Sequence, residues 1–171
     1  MTTADLRTEP STVADERALL EGFLDYHRET LAWKCAGLDD EQLRRAPLAP
    51  SELSLLGLVR HLADVERHWF RRVLADEQVP PLHYSEEDPD GEFHVGDQDT
   101  WDAAHSTWRA EIARARELTA SRSLDDVSAR KSKAGEPFSL RWIYHHMIEE
   151  YARHNGHADL IREQIDGATG E

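Results

Sequence analysis

SLRWIYHHMIEEYARHNGHADLIREQI, residues 139–165, sets the class of this chain. Turned at about 100° per residue from Glu150, the residues Ile143, Met147, Ile161 and Ile165 all fall within about 60°, the apolar stripe of a helix facing a core. His154 falls among them at about 40°, His157 at about −20° and His146 at about −40°. A carboxylate and up to three imidazoles therefore interrupt a stripe meant for burial. Burying a carboxylate without a partner costs several kcal/mol, on the order of 3–5 when a buried pair is broken. Something must satisfy Glu150, and a divalent metal ion would do so.

Outward from this segment, three more long helical stretches carry the same periodicity. The first runs from about Val13 to Ala36, with Leu20, Phe23, Leu24, His27, Leu31 and Cys35 on one face and Gly37 as its stop. The second runs from Ser51 to about Ala75, opened by Ser51 or Ser54, with Leu55, Leu58, Val59, Leu62, Val65, Trp69 and Val73 in its stripe. The third spans about Thr100 to Thr119, capped by Asp99 or Thr100 and carrying Trp101, Trp108, Ile112 and Leu118. No β-branched alternating stretch of any length appears, so the class is all-α. Four helices with long connections between the second and third and between the third and fourth describe a four-helix bundle.

The connection Glu77 to Gln98 is acidic and contains Pro80-Pro81 and Pro89-Asp90-Gly91. A connection that long inside a domain is functional or poorly ordered. Leu124 to Phe138 carries Lys133-Ala134-Gly135-Glu136, a tight-turn signal for a small hairpin. With 171 residues and a 39% apolar fraction, the reading is one domain over 1–171, residues 1–12 forming a flexible N-terminal tail.

A net charge of −14 excludes nucleic acid and anionic membrane as partners, because phosphate binding needs a basic patch. The single Cys35 allows no internal disulfide, fits a reducing compartment, and reads as a buried core thiol between Leu31 and Leu38. With neither a signal peptide nor a membrane span in the pattern, the expected location is cytoplasmic.

His61 is the second pointer to chemistry. It lies midway along the second helix, at the edge of a stripe shared with Leu58, Val65 and Trp69, where a facing helix can reach it. His61 with Glu150 and His154 makes a two-His, one-carboxylate set with an open position, the ligand count of catalytic rather than structural zinc. Nickel or iron(II) suits the same donors. His146 and His157 stand as hydrogen-bond partners of the ligands, substrate contacts or, in one case, a substitute ligand.

Plainer readings cover most other polar and aromatic residues. His27 alone reads as a hydrogen-bonded core residue; His68, His83, His94 and His105 as solvated or loop residues. Glu149 and Arg153 form a surface ion pair, and His145 is exposed. Trp33, Trp101, Trp108 and Trp142 read as core or bundle-end packing, and Trp69 as packing or a pocket wall. Without a metal, Glu150 and His154 would be a buried hydrogen-bonded pair.

The segments Val59-Arg60-His61-Leu62-Ala63-Asp64-Val65-Glu66 and His146 to Leu160 resemble the DinB/YfiT-like superfamily, more narrowly its actinobacterial branch of mini-circle proteins. The similarity runs from about Leu20 to Gly167. It implies a four-helix bundle, often a homodimer, with a divalent metal held by three side chains, commonly histidines. Glu150 in place of the first histidine of the last helix is similar to the His, Glu, His zinc site of the mycothiol-dependent maleylpyruvate isomerase. By that resemblance His61, Glu150 and His154 are the ligands, and zinc is the first choice of metal.

The resemblance further implies a divalent-metal-dependent enzyme transferring a low-molecular-weight thiol such as mycothiol to an electrophilic small molecule, with no catalytic residue needed beyond the metal site. Two alternatives remain on the residues alone. One is a hydrolase using metal-bound water. The other is a non-enzymatic, stress-associated metal-binding protein whose fourth ligand is closed by His146 or His157.

Overall fold

The segment quoted above folds as one continuous helix, α5, Leu140–Asp166. Ser139 caps its start by accepting from the Trp142 amide at 3.1 Å, and Gly167, with φ +77°, ends it. The computed structural model describes residues 7–170. In chain order the other elements are α1 (Glu16–Cys35), α2 (Asp40–Arg44), α3 (Leu55–Glu66), α4 (Trp101–Thr119), and strands β1 (Val127–Lys131) and β2 (Pro137–Ser139). A π-helical segment, Arg67–Leu74, extends α3 without a break.

The mostly helical character agrees with the all-α expectation, with two additions. The five-residue α2 carries a complete capping box, in which Asp39 accepts from the Gln42 amide at 2.8 Å and Gln42 from the Asp39 amide at 3.1 Å. The hairpin anticipated at Lys133–Glu136 forms: β1 and β2 pair antiparallel, with Val127 opposite Ser139 and Lys131 opposite Pro137. Because β2 runs straight into α5, the hairpin also delivers Phe138 to the start of that helix.

Helix α1 packs along α5 and α3 along α4, and α3 also meets α5. Leu24, Leu31, Leu58, Leu62, Trp108 and Met147 are fully buried between them. On α5 the buried side runs through Ile143, Met147, Tyr151, Ala158 and Ile161, all at 0% exposure. Tyr151 and Ala158 shift the centre of the stripe away from Glu150. The carboxylate therefore stands at the margin of the core, its side chain 23% exposed, while His154 is buried at 8%. Phe23, expected on the core face, is 46% exposed, and Trp142, expected in the core or at the bundle end, is 43% exposed.

Cys35 is buried, and burial pushes its thiol pKa up to about 12, as a core thiol requires. Of the expected N-terminal tail, residues 1–6 lie outside the described residues; beyond them the Arg7 guanidinium sits over the Trp33 ring at 4.3 Å. Among the described residues no helix is long and apolar enough to cross a membrane.

Candidate metal centre

His61 projects from the middle of α3, and Glu150 and His154 project one turn apart from α5. The contact between the two helices brings all three together: one donor atom from each lies within 4.8 Å of the others. The His61 and His154 ring centroids are 4.6 Å apart, and His154 Nε2 is 3.5 Å from Glu150 Oε2. Zinc–nitrogen and zinc–oxygen distances near 2.0–2.1 Å put two donors on a tetrahedral ion about 3.3–3.4 Å apart. The Glu150–His154 spacing is already of that size, and it is long for a strong hydrogen bond. The residues fit a divalent ion.

Each of the three has an outer partner. His146, one turn before Glu150, places Nε2 3.3 Å from Glu150 Oε1, the oxygen turned away from His154. His157 faces His154 with 3.3 Å between their Nδ1 atoms, and with His154 donating and His157 accepting, His154 keeps Nε2 for the centre. The third partner comes from the long connection: Glu92 Oε1 lies 3.1 Å from His61 Nδ1. Phe93 stacks on the same imidazole, centroids 5.2 Å apart and rings inclined by 27°. The bonds to His146 first, then to His154, hold the Glu150 carboxyl well below the usual carboxylate range. Burial lowers the pKa of His61, with the Glu92 bond opposing it, and burial also lowers that of His157.

The acidic connection is therefore ordered, and it forms a strap along α3. Asp64 accepts from the Leu82 amide at 2.6 Å and the His83 amide at 3.0 Å. Arg60 donates to the Gly91 carbonyl at 3.0 Å and to Asp99 at 2.9 Å, and Arg67 to the Pro80 carbonyl at 3.1 Å. Two glycines permit the approach. A Cβ on Gly91 would collide with the His83 carbonyl, and one on Gly57 would press on Phe93 at 3.3 Å. Nothing in the local sequence marks Glu92; only the length and acidity of its connection pointed to this part of the chain.

An aromatic wall stands beside the centre. His146 stacks on Trp142, 5.0 Å between centroids and 12° between planes, and meets Trp69 edge-on at 4.6 Å. Phe138 closes the group at 5.1 Å from Trp69 and 4.6 Å from Trp142. Trp69 comes from the π-helical segment, a backbone form that recurs at functional sites. Trp142 is thus part of a partly exposed wall rather than core packing, and Trp69 lies within it.

The remaining titratable candidates stay apart. His27 receives the Asn155 amide on its carbonyl oxygen at 3.0 Å. His94 pairs with Asp88 on the surface, the exposed Arg153 with Glu149, and the exposed His145 with the Arg141 carbonyl.

No curated protein matches the chain in sequence. A crystal structure described as the conserved protein of locus from Enterococcus faecalis shares the fold, with a TM-score of 0.63 at 18% identity over 91% of this chain and 100% of that one. The chain matches the mycothiol-S-transferase family over residues 19–167, which takes in all three converging side chains and all of their outer partners. It belongs to the mycothiol-S-transferase family, a family of mycothiol-related, metal-dependent enzymes within the DinB/YfiT-like superfamily.

Proposed function

We propose that this chain transfers mycothiol, or a similar low-molecular-weight thiol, to an electrophilic small molecule at a centre where His61, Glu150 and His154 hold one divalent ion. The observation that carries the reading is the convergence of those three donors, within 4.8 Å of one another, on a member of this family. Zinc is the ion proposed, since two imidazoles and a carboxylate with a position to spare match its catalytic sites. The scaffold proposed is the four-helix bundle of the DinB/YfiT type, assembled as a homodimer and resident in the cytoplasm.

A bound ion supplies a Lewis-acid position at which a thiol loses its proton at neutral pH. The protein's own groups do the rest. Glu150 brings one negative charge, which leaves the centre net positive with a divalent ion and attractive to an anionic sulfur. His146 and His157 hold Glu150 and His154 in place. In the transfer, sulfur forms a bond to the electrophilic carbon, the leaving group departs with its electron pair, and the thiol proton is released. The aromatic wall of Trp69 and Trp142 excludes water from one side.

The test is elemental analysis of untagged protein beside its Glu150→Ala and His154→Ala variants, followed by turnover of an activated alkyl halide with and without mycothiol. About one zinc per chain, lost in both variants, and turnover only with thiol are the expected results. Turnover of activated esters without thiol would identify a hydrolase instead. Wild-type protein that takes up neither zinc nor nickel would overturn the centre.

A further inference from the structure

Glu92 sits in a connection without regular structure, yet only 7% of it is exposed. Its Oε1 makes one bond, to His61 Nδ1, and its Oε2 is buried with no hydrogen-bond partner. A carboxylate in such a place costs free energy unless its charge is met. A purely structural acid would use both oxygens, as the fully buried Glu66 does with Arg28 and Tyr151. Glu92 instead directs its single bond at one imidazole, and the adjacent Phe93 covers the face of the same ring. Arg60, immediately before His61, fixes the Gly91 carbonyl, so both ends of the Glu92–His61 contact are held by neighbours in sequence.

We propose that Glu92 is the positioning residue of His61, accepting a hydrogen bond from Nδ1–H so that the neutral ring keeps Nε2 free for the divalent ion shared with Glu150 and His154. The inference rests on the reading of His61 as a ligand and adds to it a carboxylate–imidazole–metal relay contributed by the strap. Such outer carboxylates fix the tautomer and orientation of a ligating histidine and raise its basicity. The arrangement also accounts for the uneven treatment of Glu92: with an ion beyond the ring, the imidazole becomes a stronger donor and positive charge lies close to the buried carboxylate. The 77–98 connection is then part of the metal centre, and its attachments through Arg60 and Asp64 serve to place one acid.

The test uses the full chain and two probe ions. Cobalt(II) reports ligand geometry by its visible absorption, and zinc affinity is read by competition with a chromophoric chelator, for wild type, Glu92→Gln and Glu92→Ala. Glu92→Ala is expected to weaken zinc binding by about 10–100-fold and to alter the cobalt spectrum. Glu92→Gln, whose amide oxygen still accepts from Nδ1–H, is expected to lose less and keep the wild-type spectrum. Metal-free helix content and unfolding midpoint, measured beside these, separate positioning from simple pinning of the loop: pinning moves the midpoint and leaves affinity alone. Wild-type affinity and spectrum in Glu92→Ala overturn the proposal. Should that variant fail to fold, Glu92→Leu, which fills the space and removes the acceptor, decides: weaker zinc binding than in Glu92→Gln supports positioning, and affinity equal to wild type overturns it. If wild type itself takes up no ion, the centre fails first and Glu92 positions nothing; if wild type binds and the variants match it, only the role of Glu92 falls.

Discussion

Two clusters of charge lie side by side on α3 and α5, and they are finished very differently. In the first, Glu66 is fully buried and accepts from Arg28 Nε and Nη2 and from the Tyr151 hydroxyl, each at 2.8 Å. Trp108 donates in turn to the Tyr151 oxygen at 2.7 Å, so the network closes on itself. In the second, Glu150 is next to Tyr151 in sequence, yet it meets only imidazoles, at 3.3 and 3.5 Å. One is a charge pair completed by protein; the other is a set of donors aimed at a common point and left loosely bonded to one another. Buried charge alone does not mark function. Its incompleteness does.

The sharpest way to break this contrast is through stability. Glu66→Gln removes the buried counter-charge of Arg28 and leaves it only the half-exposed Asp25 at 2.8 Å, and a loss of about 3 kcal/mol is expected in urea unfolding. Glu150→Gln in metal-free protein is expected to cost clearly less than Glu66→Gln, since that side chain is partly exposed and its imidazole partners lie at 3.3 and 3.5 Å. Similar losses for the two substitutions would erase the distinction between a structural and a functional cluster.

The response to zinc should run the other way. Free zinc at about 100 times its dissociation constant adds about 2.7 kcal/mol to the unfolding free energy of a protein that binds it only when folded. Wild type should gain that amount, His154→Ala should gain almost nothing, and Glu66→Gln should gain as much as wild type from its lower starting point. A full zinc response in His154→Ala would mean that the ion binds elsewhere, with His146, Glu149 and Glu150 the other converging group among the described residues.

Which parts of this contrast were legible in the sequence follows from the range of the contacts. Long helices announce themselves by period, and of the cap candidates Ser54 and Thr100 are the ones that cap theirs. A five-residue helix is too short to show a period, so α2 had only the Asp39–Gln42 capping signal to betray it. His61, Glu150 and His154 were readable because two of them share one helix face and the third interrupts another apolar stripe. Glu92 was not, because its bond to His61 spans 31 residues and depends on how the strap lies. Periodicity also misplaced Phe23, since it ranks the sides of one helix without showing which side a neighbour covers. The Arg28–Glu66 pair was missed for the same reason: it crosses from α1 to α3.

The smallest expected effect concerns the strap and acid. His83 lies in it with Nε2 buried and unpartnered, and burial first, then the Arg60 charge, pushes its pKa down to about 4. In the unfolded chain the ring titrates near 6.5. Between those values the unfolded state holds the extra proton, so stability rises with pH across the window and is lost as pH falls from about 6.5 toward 4. Burial lowers the pKa of His27, His68 and His105 as well, and these tilt stability in the same direction. His94 opposes them: its bond to Asp88 raises its pKa, so its contribution is complete below about 6.5 and fades as pH rises through the raised value. Replacing His83 with Gln should therefore flatten, without abolishing, the fall in unfolding free energy of metal-free protein over that window. The change should stay below the ~1.4 kcal/mol per pH unit of a full proton difference, because His83 is only partly buried. An unchanged slope would mean that the strap opens enough to let His83 protonate freely, and a strap that opens so readily could not hold Glu92 on His61.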